Sequence, residues 1–194
     1  MRVISGTARG QTLATVELPH LRPMLDRVRE NLFNIIRFEI EQVQVLDLFS
    51  GCGSLGIEAL SRGADACVFV ESDRRLVEVI EENLEQCGFA DRAYVLRDDV
   101  FMLPGRPPPP RHRIAEVVFA DPPYEFIDDP NRRAELFGAL EGMIGSMIAP
   151  GALLVLHHAP MPHALWPTDR MRCYDRRVYG NSQITLFDVE KEPQ

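Results

Sequence analysis

No apolar run in this 194-residue chain approaches the ~18 residues that a membrane-crossing helix needs. The opening residues, MRVISGTARG, carry Arg2 but no apolar stretch of the kind a secretory signal requires. A cytoplasmic protein without membrane contact is therefore expected. The four cysteines, Cys52, Cys67, Cys87 and Cys173, are scattered and form no C-x-x-C pair, so reduced thiols are expected. A metal site is not expected from His157, His158 and His163 either, because adjacent residues on a strand face opposite sides. Internal repeats are absent. So is any excess of positive charge: 29 acids against 21 bases give a net charge of −8, which excludes nucleic-acid binding through bulk charge. A single domain of this length buries roughly 70% of its unfolded surface, enough to hold together without disulfides or metals.

The charge is unevenly spread. Residues 1–37 hold six arginines (2, 9, 22, 27, 29 and 37) against Glu17, Asp26 and Glu30, a local balance of +3. A second basic cluster is RMRCYDRR, residues 170–177, while acids concentrate in 71–99 and 116–141. A basic face on an acidic body is compatible with this pattern if the two clusters meet.

The order of elements is legible from periodicity and turn chemistry. Residues 1–16 read as a hairpin around a Thr7–Gly10 turn. Pro23 suits a first helical turn, and residues 24–40 place Leu25, Val28, Leu32, Ile35, Ile36 and Ile40 at helical spacing. Strands are predicted at 44–49, 66–71, 92–97, 115–121 and 151–158. Helices are predicted from SLGIEALSRG, over 73–88 with Gly88 as its stop, and over 131–148. PGRPPPPRHR, residues 104–113, reads as an extended exposed loop, and RRVYG with QITLFDVE as a closing antiparallel pair around Gly180-Asn181. Alternating strands and helices imply a parallel sheet with right-handed crossovers, and the terminal pair makes it mixed. Ligands in such sheets sit outside the carboxyl ends of the strands.

At one such end stands FSGCGSLG. Residues 51–56 match G-x-G-x-x-G, and Glu71 ends the next strand 20 residues after Gly51. Glycines let the backbone approach a ligand, and the acid accepts from ribose hydroxyls. Both a dinucleotide and S-adenosylmethionine present such a ribose. Asp47, four residues before Gly51, separates them: a carboxylate there repels pyrophosphate but favours an ammonium and a sulfonium. The sulfonium cofactor is expected. Asp98 and Asp99, after the third strand, either accept from an adenine amine or cap a helix.

At another strand end stands DPPY, residues 121–124. The lone pair of a nucleobase amine is delocalised into the ring, so the amine attacks poorly until it moves towards tetrahedral geometry. The Asp121 carboxylate and the Pro122 carbonyl can grip its two N–H bonds. Pro122 and Pro123 lock φ and add no competing N–H. Tyr124 can stack on the base, worth ~1–3 kcal/mol. A carboxylate with an ordinary pKa near ~3.9 cannot deprotonate a neutral amine in advance, so Asp121 is expected to orient the amine and take its proton after transfer.

With these motifs placed, the chain resembles the bacterial methyltransferases that modify the N2 amine of one guanine in 16S ribosomal RNA. The resemblance runs through RVISGTARGQTL, RPMLDRVRENLFNII, VLDLFSGCGSLGIEALSRGA, FVESD, ADPPYEF and RVYGNSQITLF. It implies an α/β fold of the Rossmann-like class I methyltransferase type: a seven-stranded mixed sheet with helices on both faces. An RNA-contacting N-terminal hairpin (residues 1–22) would precede the catalytic domain (23–194). The resemblance further implies S-adenosylmethionine held by Asp47, Phe49, Ser50, Gly51, Gly53, Glu71 and Ser72, with Asp121 adjoining. Guanine would be held by Asp121, Pro122, Pro123 and Tyr124, and the RNA side formed by Arg2, Arg9, Arg22, Asp26, Arg27 and Arg29. Arg27 and Arg29 can alternatively pair with Glu30 or Asp26 on a solvated face. The implied partner is 16S rRNA within the small (30S) subunit, met by a monomer. Met24 and Leu25 stand where the family commonly has two threonines, Cys52 stands where it often has serine, and the 104–113 tract is atypical. The rival readings are an adenine-N6 DNA methyltransferase, a nicotinamide-dependent oxidoreductase and a non-catalytic RNA-binding protein.

Overall fold

Residue alternation along five parallel strands splits the core into two layers. In the computed structural model, which describes residues 1–16, 24–161 and 166–190, the elements run α1 (Asp26–Ile35), β1 (Gln44–Leu48), α2 (Ser54–Ser61), β2 (Ala66–Glu71), α3 (Arg74–Cys87), β3 (Ala93–Arg97), β4 (Ala115–Ala120), α4 (Glu125–Asp128), α5 (Pro130–Gly142), β5 (Ile148–His158), β6 (Met171–Tyr179) and β7 (Ser182–Val189). The seven strands form one sheet in the order β3-β2-β1-β4-β5-β7-β6, with β7 antiparallel to both neighbours. Val45, Phe69, Phe119 and Val155 point to the layer built with α1, α2 and α3. Leu46, Val68, Val118 and Leu154 point to the layer containing Leu136, Phe137 and Leu140 of α5. Helices therefore cover both faces of a mixed sheet, as the alternation of elements implies. No helix among the described residues is long and apolar enough to cross a membrane.

Boundaries shift where local signals lose to packing. The first helix is shorter than the spacing over 24–40 suggests. Leu25 has an extended backbone (ψ 141°), so its side chain lies out of helical phase and is 71% exposed, while Met24 is buried in its place. The helix predicted over 131–148 ends at Gly142, where an added Cβ would come within 2.8 Å of Pro104. Gly145, at φ +85°, then turns the chain into β5. The start of α5 follows capping rules: Asp129 accepts from the Asn131 and Arg132 N–H groups and Pro130 occupies the first turn. The 104–113 tract is irregular; Arg106 pairs with Asp98 and Arg113 with Asp65.

The N-terminal hairpin is reduced to one bridge, Arg2 to Thr12, and it is docked rather than free. Val3 and Leu13 enter the core. The buried Glu58 of α2 accepts from the N–H groups of Ile4 (2.7 Å) and Ser5 (3.0 Å). Asn83 of α3, fully buried, accepts from Ala14 N–H at 2.7 Å and donates to the Ala14 and Cys52 carbonyls, both at 3.1 Å. One amide thus ties the hairpin to the glycine loop.

This docking corrects the expectation for Arg29. Its guanidinium is not on a solvated face but completely buried, where Nη2 donates to the Arg2 carbonyl (2.5 Å) and to Asp26 (3.0 Å), with Glu58 at 4.0 Å. Burial pulls its pKa down against the opposing charges of Asp26 and Glu58. At 0% exposure it offers nothing to a phosphate, although its Nε and Nη1 have no hydrogen-bond partner among the described residues.

Replacing Asn83 by alanine orphans three backbone groups at once, the partly buried N–H and carbonyl of Ala14 and the buried carbonyl of Cys52. Asn83→Ala is expected to lose about 2–3 kcal/mol of stability, read as a lower urea midpoint with an unchanged slope.

Candidate functional site

Parallel register decides where the chemistry gathers. Leu48 of β1 lies beside Val70 of β2 and Ala120 of β4, and Ala120 lies beside Leu156 of β5. The next residues of these strands and loops are Phe49, Glu71, Asp121 and His157, which emerge along one rim. A cleft of about 720 Å³ opens there, lined by Phe49, Gly51, Glu71, Asp121, Pro122 and Tyr124 among others. That volume suits a small-molecule ligand.

The glycine loop is held in an unusual backbone path. Gly51 (φ +57°) and Gly53 (φ +78°) take left-handed conformations, and so does Phe49 at φ +56°, where a bulky residue is strained. Phe49 is kept there by Phe101 and Phe126, with ring centroids 6.2 and 6.1 Å away. Glu71 braces the loop: one carboxylate oxygen accepts from Gly51 N–H and the other from Asp73 N–H, both at 2.9 Å. Ser50 is turned inward. Its hydroxyl donates to the Asp47 carbonyl at 2.6 Å and accepts from Val70 N–H at 3.0 Å, so the side chain links strands at the edge of the cleft. Gly53 caps α2, and Ser72 lines the cleft. Cys52 fits the serine-like position as a thiol whose pKa burial pushes up.

Asp47 lies beneath this loop rather than on the cleft wall. It is 1% exposed, one oxygen accepts from Gly56 N–H at 2.9 Å, and the other has no partner among the described residues. Burial raises its pKa well above the usual carboxylate range. The Gly56 N–H opposes that shift, and Asp121 and Glu71 add to it. Gly56 itself marks close helix–sheet packing, since a Cβ there would meet the Phe69 ring at 2.3 Å.

The DPPY corner closes the other strand end. Asp121 N–H donates to Leu48 O at 3.3 Å, continuing the sheet for one more bond. Pro122 is buried, and its carbonyl accepts no hydrogen bond among the described residues. The Pro123 and Tyr124 carbonyls start the short α4 by accepting from Phe126 and Ile127. One residue escaped the sequence reading. The sequence suggests for His157 only a metal-ligand role, yet its Nδ1 lies 2.7 Å from Asp121 Oδ1, and its ring meets Tyr124 edge-on at 6.5 Å. The signal was the pairing of the fourth and fifth parallel strands, whose ends carry Asp121 and His157 side by side. His158 faces the opposite side as expected, with Nε2 on Thr185 Oγ1 at 2.8 Å. No cluster of metal-binding side chains occurs among the described residues.

Other predicted positions separate from the cleft. Asp99 caps a 3₁₀ turn by accepting from Phe101 N–H at 3.0 Å. Asp98 accepts from Asp99 N–H and pairs with Arg106. Neither lines the cleft, so of the two alternatives the capping role is the one seen for Asp99. Arg2, Arg9, Asp26 and Arg27 are exposed, while Arg22 and His163 lie outside the described residues. Two arginines of the second basic cluster pair with acids, Arg172 with Asp188 of β7 and Arg177 with Asp175.

Residues 1–188 match the family described as conserved hypothetical protein 95. The chain belongs to that family. A relative, ribosomal RNA small subunit methyltransferase D of Haemophilus influenzae, is 38% identical over 128 residues, 65% of this chain and 65% of that protein. The chain thus spans just under two thirds of that relative's length. A solved structure described as a "putative methyltransferase" from Escherichia coli is 30% identical, with 99% of each chain covered and a TM-score of 0.79. A crystal structure of an RNA methyltransferase from Salinibacter ruber, in complex with S-adenosyl-L-homocysteine, shares the fold: 19% identity, TM-score 0.63, covering 89% of this chain and 97% of that one.

The site can be tested against the ligand this family fold suggests. Glu71, Asp73, Asp121, Glu125 and Asp128 line the cleft with no arginine, lysine or histidine among its lining residues, and the unsatisfied Asp47 oxygen sits below. Such a site fits a ligand with an ammonium and a sulfonium and disfavours pyrophosphate. Its buried acid floor also has a stability signature. The native state keeps the Asp47 proton where the unfolded chain has released it, so above about pH 4 stability falls as pH rises towards the raised native value. Asp47→Asn, which retains an oxygen for Gly56 N–H, is expected to raise the Tm of the ligand-free protein more at pH 8 than at pH 4.5, as thermal unfolding across that range checks.

Proposed function

We propose that this chain transfers a methyl group from S-adenosylmethionine to the exocyclic N2 amine of one guanine in 16S rRNA, acting as a monomer on the small-subunit particle. The observation that carries this reading is the Asp121–Pro122 corner, which brings a carboxylate and an uncommitted carbonyl to the wall of an acid-lined cleft shared with the glycine loop. Two acceptors of this kind suit the two N–H bonds of an aromatic amine. The rRNA substrate rests on the similarity to proteins named for small-subunit methylation.

When bound, the cofactor supplies an electrophilic methyl group: the N–C bond forms as the C–S bond breaks, and the bonding electron pair remains on sulfur. Glu71 would hold the ribose hydroxyls with lone pairs left over from its two backbone bonds, and Asp47 would offset the positive charge from below. Asp121 orients the amine and accepts the proton that the nitrogen sheds after transfer, while Tyr124 stacks on the base. Exposed Arg2, Arg9 and Arg27 on the hairpin and α1 would meet phosphates, and shape supplies the remaining recognition.

Calorimetry is expected to show binding of S-adenosylhomocysteine and none of NADH; binding of NADH alone overturns the proposal. Asp121→Ala is expected to keep cofactor binding while losing at least ~10²-fold in transfer. Primer extension on small-subunit rRNA from cells lacking the chain should lose one N2-methylguanine stop, whereas an unchanged pattern together with lost adenine-N6 methylation of DNA would favour the rival amine substrate.

A further inference from the structure

We infer that His157 is a positioning residue for Asp121: its ring N–H holds one carboxylate oxygen still, so that the other is presented to the amine. The inference rests on the proposed methyl transfer for its consequence, though not for the pairing itself.

The pairing is built into the sheet. Asp121 follows Ala120, which lies beside Leu156, so His157 stands abreast of Asp121 on adjacent parallel strands. Nδ1 and Oδ1 are 2.7 Å apart. A carboxylate can only accept, so Nδ1 carries the proton, and the neutral tautomer that makes this bond has a bare Nε2. That Nε2 is buried, with no partner among the described residues, on a side chain only 5% exposed. Neighbouring His158 uses both ring nitrogens within the fold, with Nδ1 on the Ala159 carbonyl at 2.6 Å and Nε2 on Thr185. A histidine that leaves one nitrogen unsatisfied to keep a single bond to Asp121 is poorly explained by packing alone, because burying an unpaired polar atom is costly.

The surroundings show what that bond is for. The groups around Asp121 are acidic: the buried Asp47 of β1, Glu71 at the end of β2, and Glu125 and Asp128 of α4 on the same cleft. Against this repulsion, Asp121 is held by the one N–H from β5. The Tyr124 ring, edge-on to the imidazole, extends the same support to the stacking residue. With Oδ1 committed to His157, Oδ2 remains for the substrate, and a carboxylate free to rotate would lose the alignment on which transfer depends.

Two substitutions and one spectrum test this. His157→Leu removes the donor, and His157→Asn restores an N–H close to the position of Nδ1. Transfer to small-subunit particles from cells lacking the chain is expected to fall ~10²-fold in kcat for His157→Leu, with S-adenosylhomocysteine affinity within about threefold of wild type, and to recover to within about fivefold for His157→Asn. Equal loss in both variants with cofactor affinity retained, or no loss in His157→Leu, overturns the inference. Nitrogen-15 NMR of the histidine rings is read in parallel and needs no substrate. The wild-type His157 ring is expected to show a protonated Nδ1 and a bare Nε2, a signature that Asp121→Ala abolishes; a protonated Nε2 in the wild type with bare Nδ1 overturns the pairing. A wild-type protein that shows the expected signature yet methylates no small-subunit RNA refutes the proposed substrate and leaves the pairing standing.

Discussion

The site depends on the side-by-side termination of four parallel strands. Strands β2, β1, β4 and β5 end along one rim, which brings Glu71, the glycine loop, Asp121 and His157 together although Gly51 and His157 lie 106 residues apart in the chain. Each of these residues is ordinary within its own segment. Their proximity comes from parallel pairing, and pairing in turn depends on the apolar alternation that buries both faces of the sheet. A slip of one residue between β4 and β5 would turn His157 to the other face of the sheet and undo the Asp121 contact.

Electrostatics adds a second constraint. Carboxylates gather at this rim against their mutual repulsion, and the most buried of them, Asp47, has one oxygen with no partner among the described residues. The cost is borne by the surrounding fold, where backbone N–H groups from Gly51, Gly56 and Asp73 accept the role of partners to Glu71 and Asp47. A ligand bearing positive charge relieves the same repulsion. Stability of the empty protein and affinity for a cationic ligand therefore pull against each other at one residue.

The N-terminal hairpin belongs to this arrangement more closely than an appendage would. Glu58 and Asn83 hold its backbone, and Asn83 also holds the Cys52 carbonyl of the glycine loop. Across the hairpin itself, Val3 N–H donates to the Gln11 carbonyl, Gly10 N–H to the Val3 carbonyl and Leu13 N–H to the Met1 carbonyl, around the single Arg2–Thr12 bridge. Arg29 serves this docking too, as a buried donor to the Arg2 carbonyl, leaving Arg2, Arg9, Arg27 and Arg37 as the exposed arginines among the described residues of the 1–37 segment.

The amino-acid sequence by itself determined the order of strands and helices, the glycine loop with Glu71, and the DPPY corner. These signals are local: apolar periodicity, glycines at left-handed positions and prolines that lock φ all act within a few residues. It also carried Asp99 as a possible cap, since capping is decided two residues away. Tertiary structure alone decided the burial of Arg29, the inward turn of Ser50, the descent of Asp47 beneath the loop and the pairing of His157 with Asp121. Each of those depends on which segments become neighbours, and a hydrogen bond across 36 residues leaves no periodic trace in the chain because its partners are brought together only when the sheet assembles.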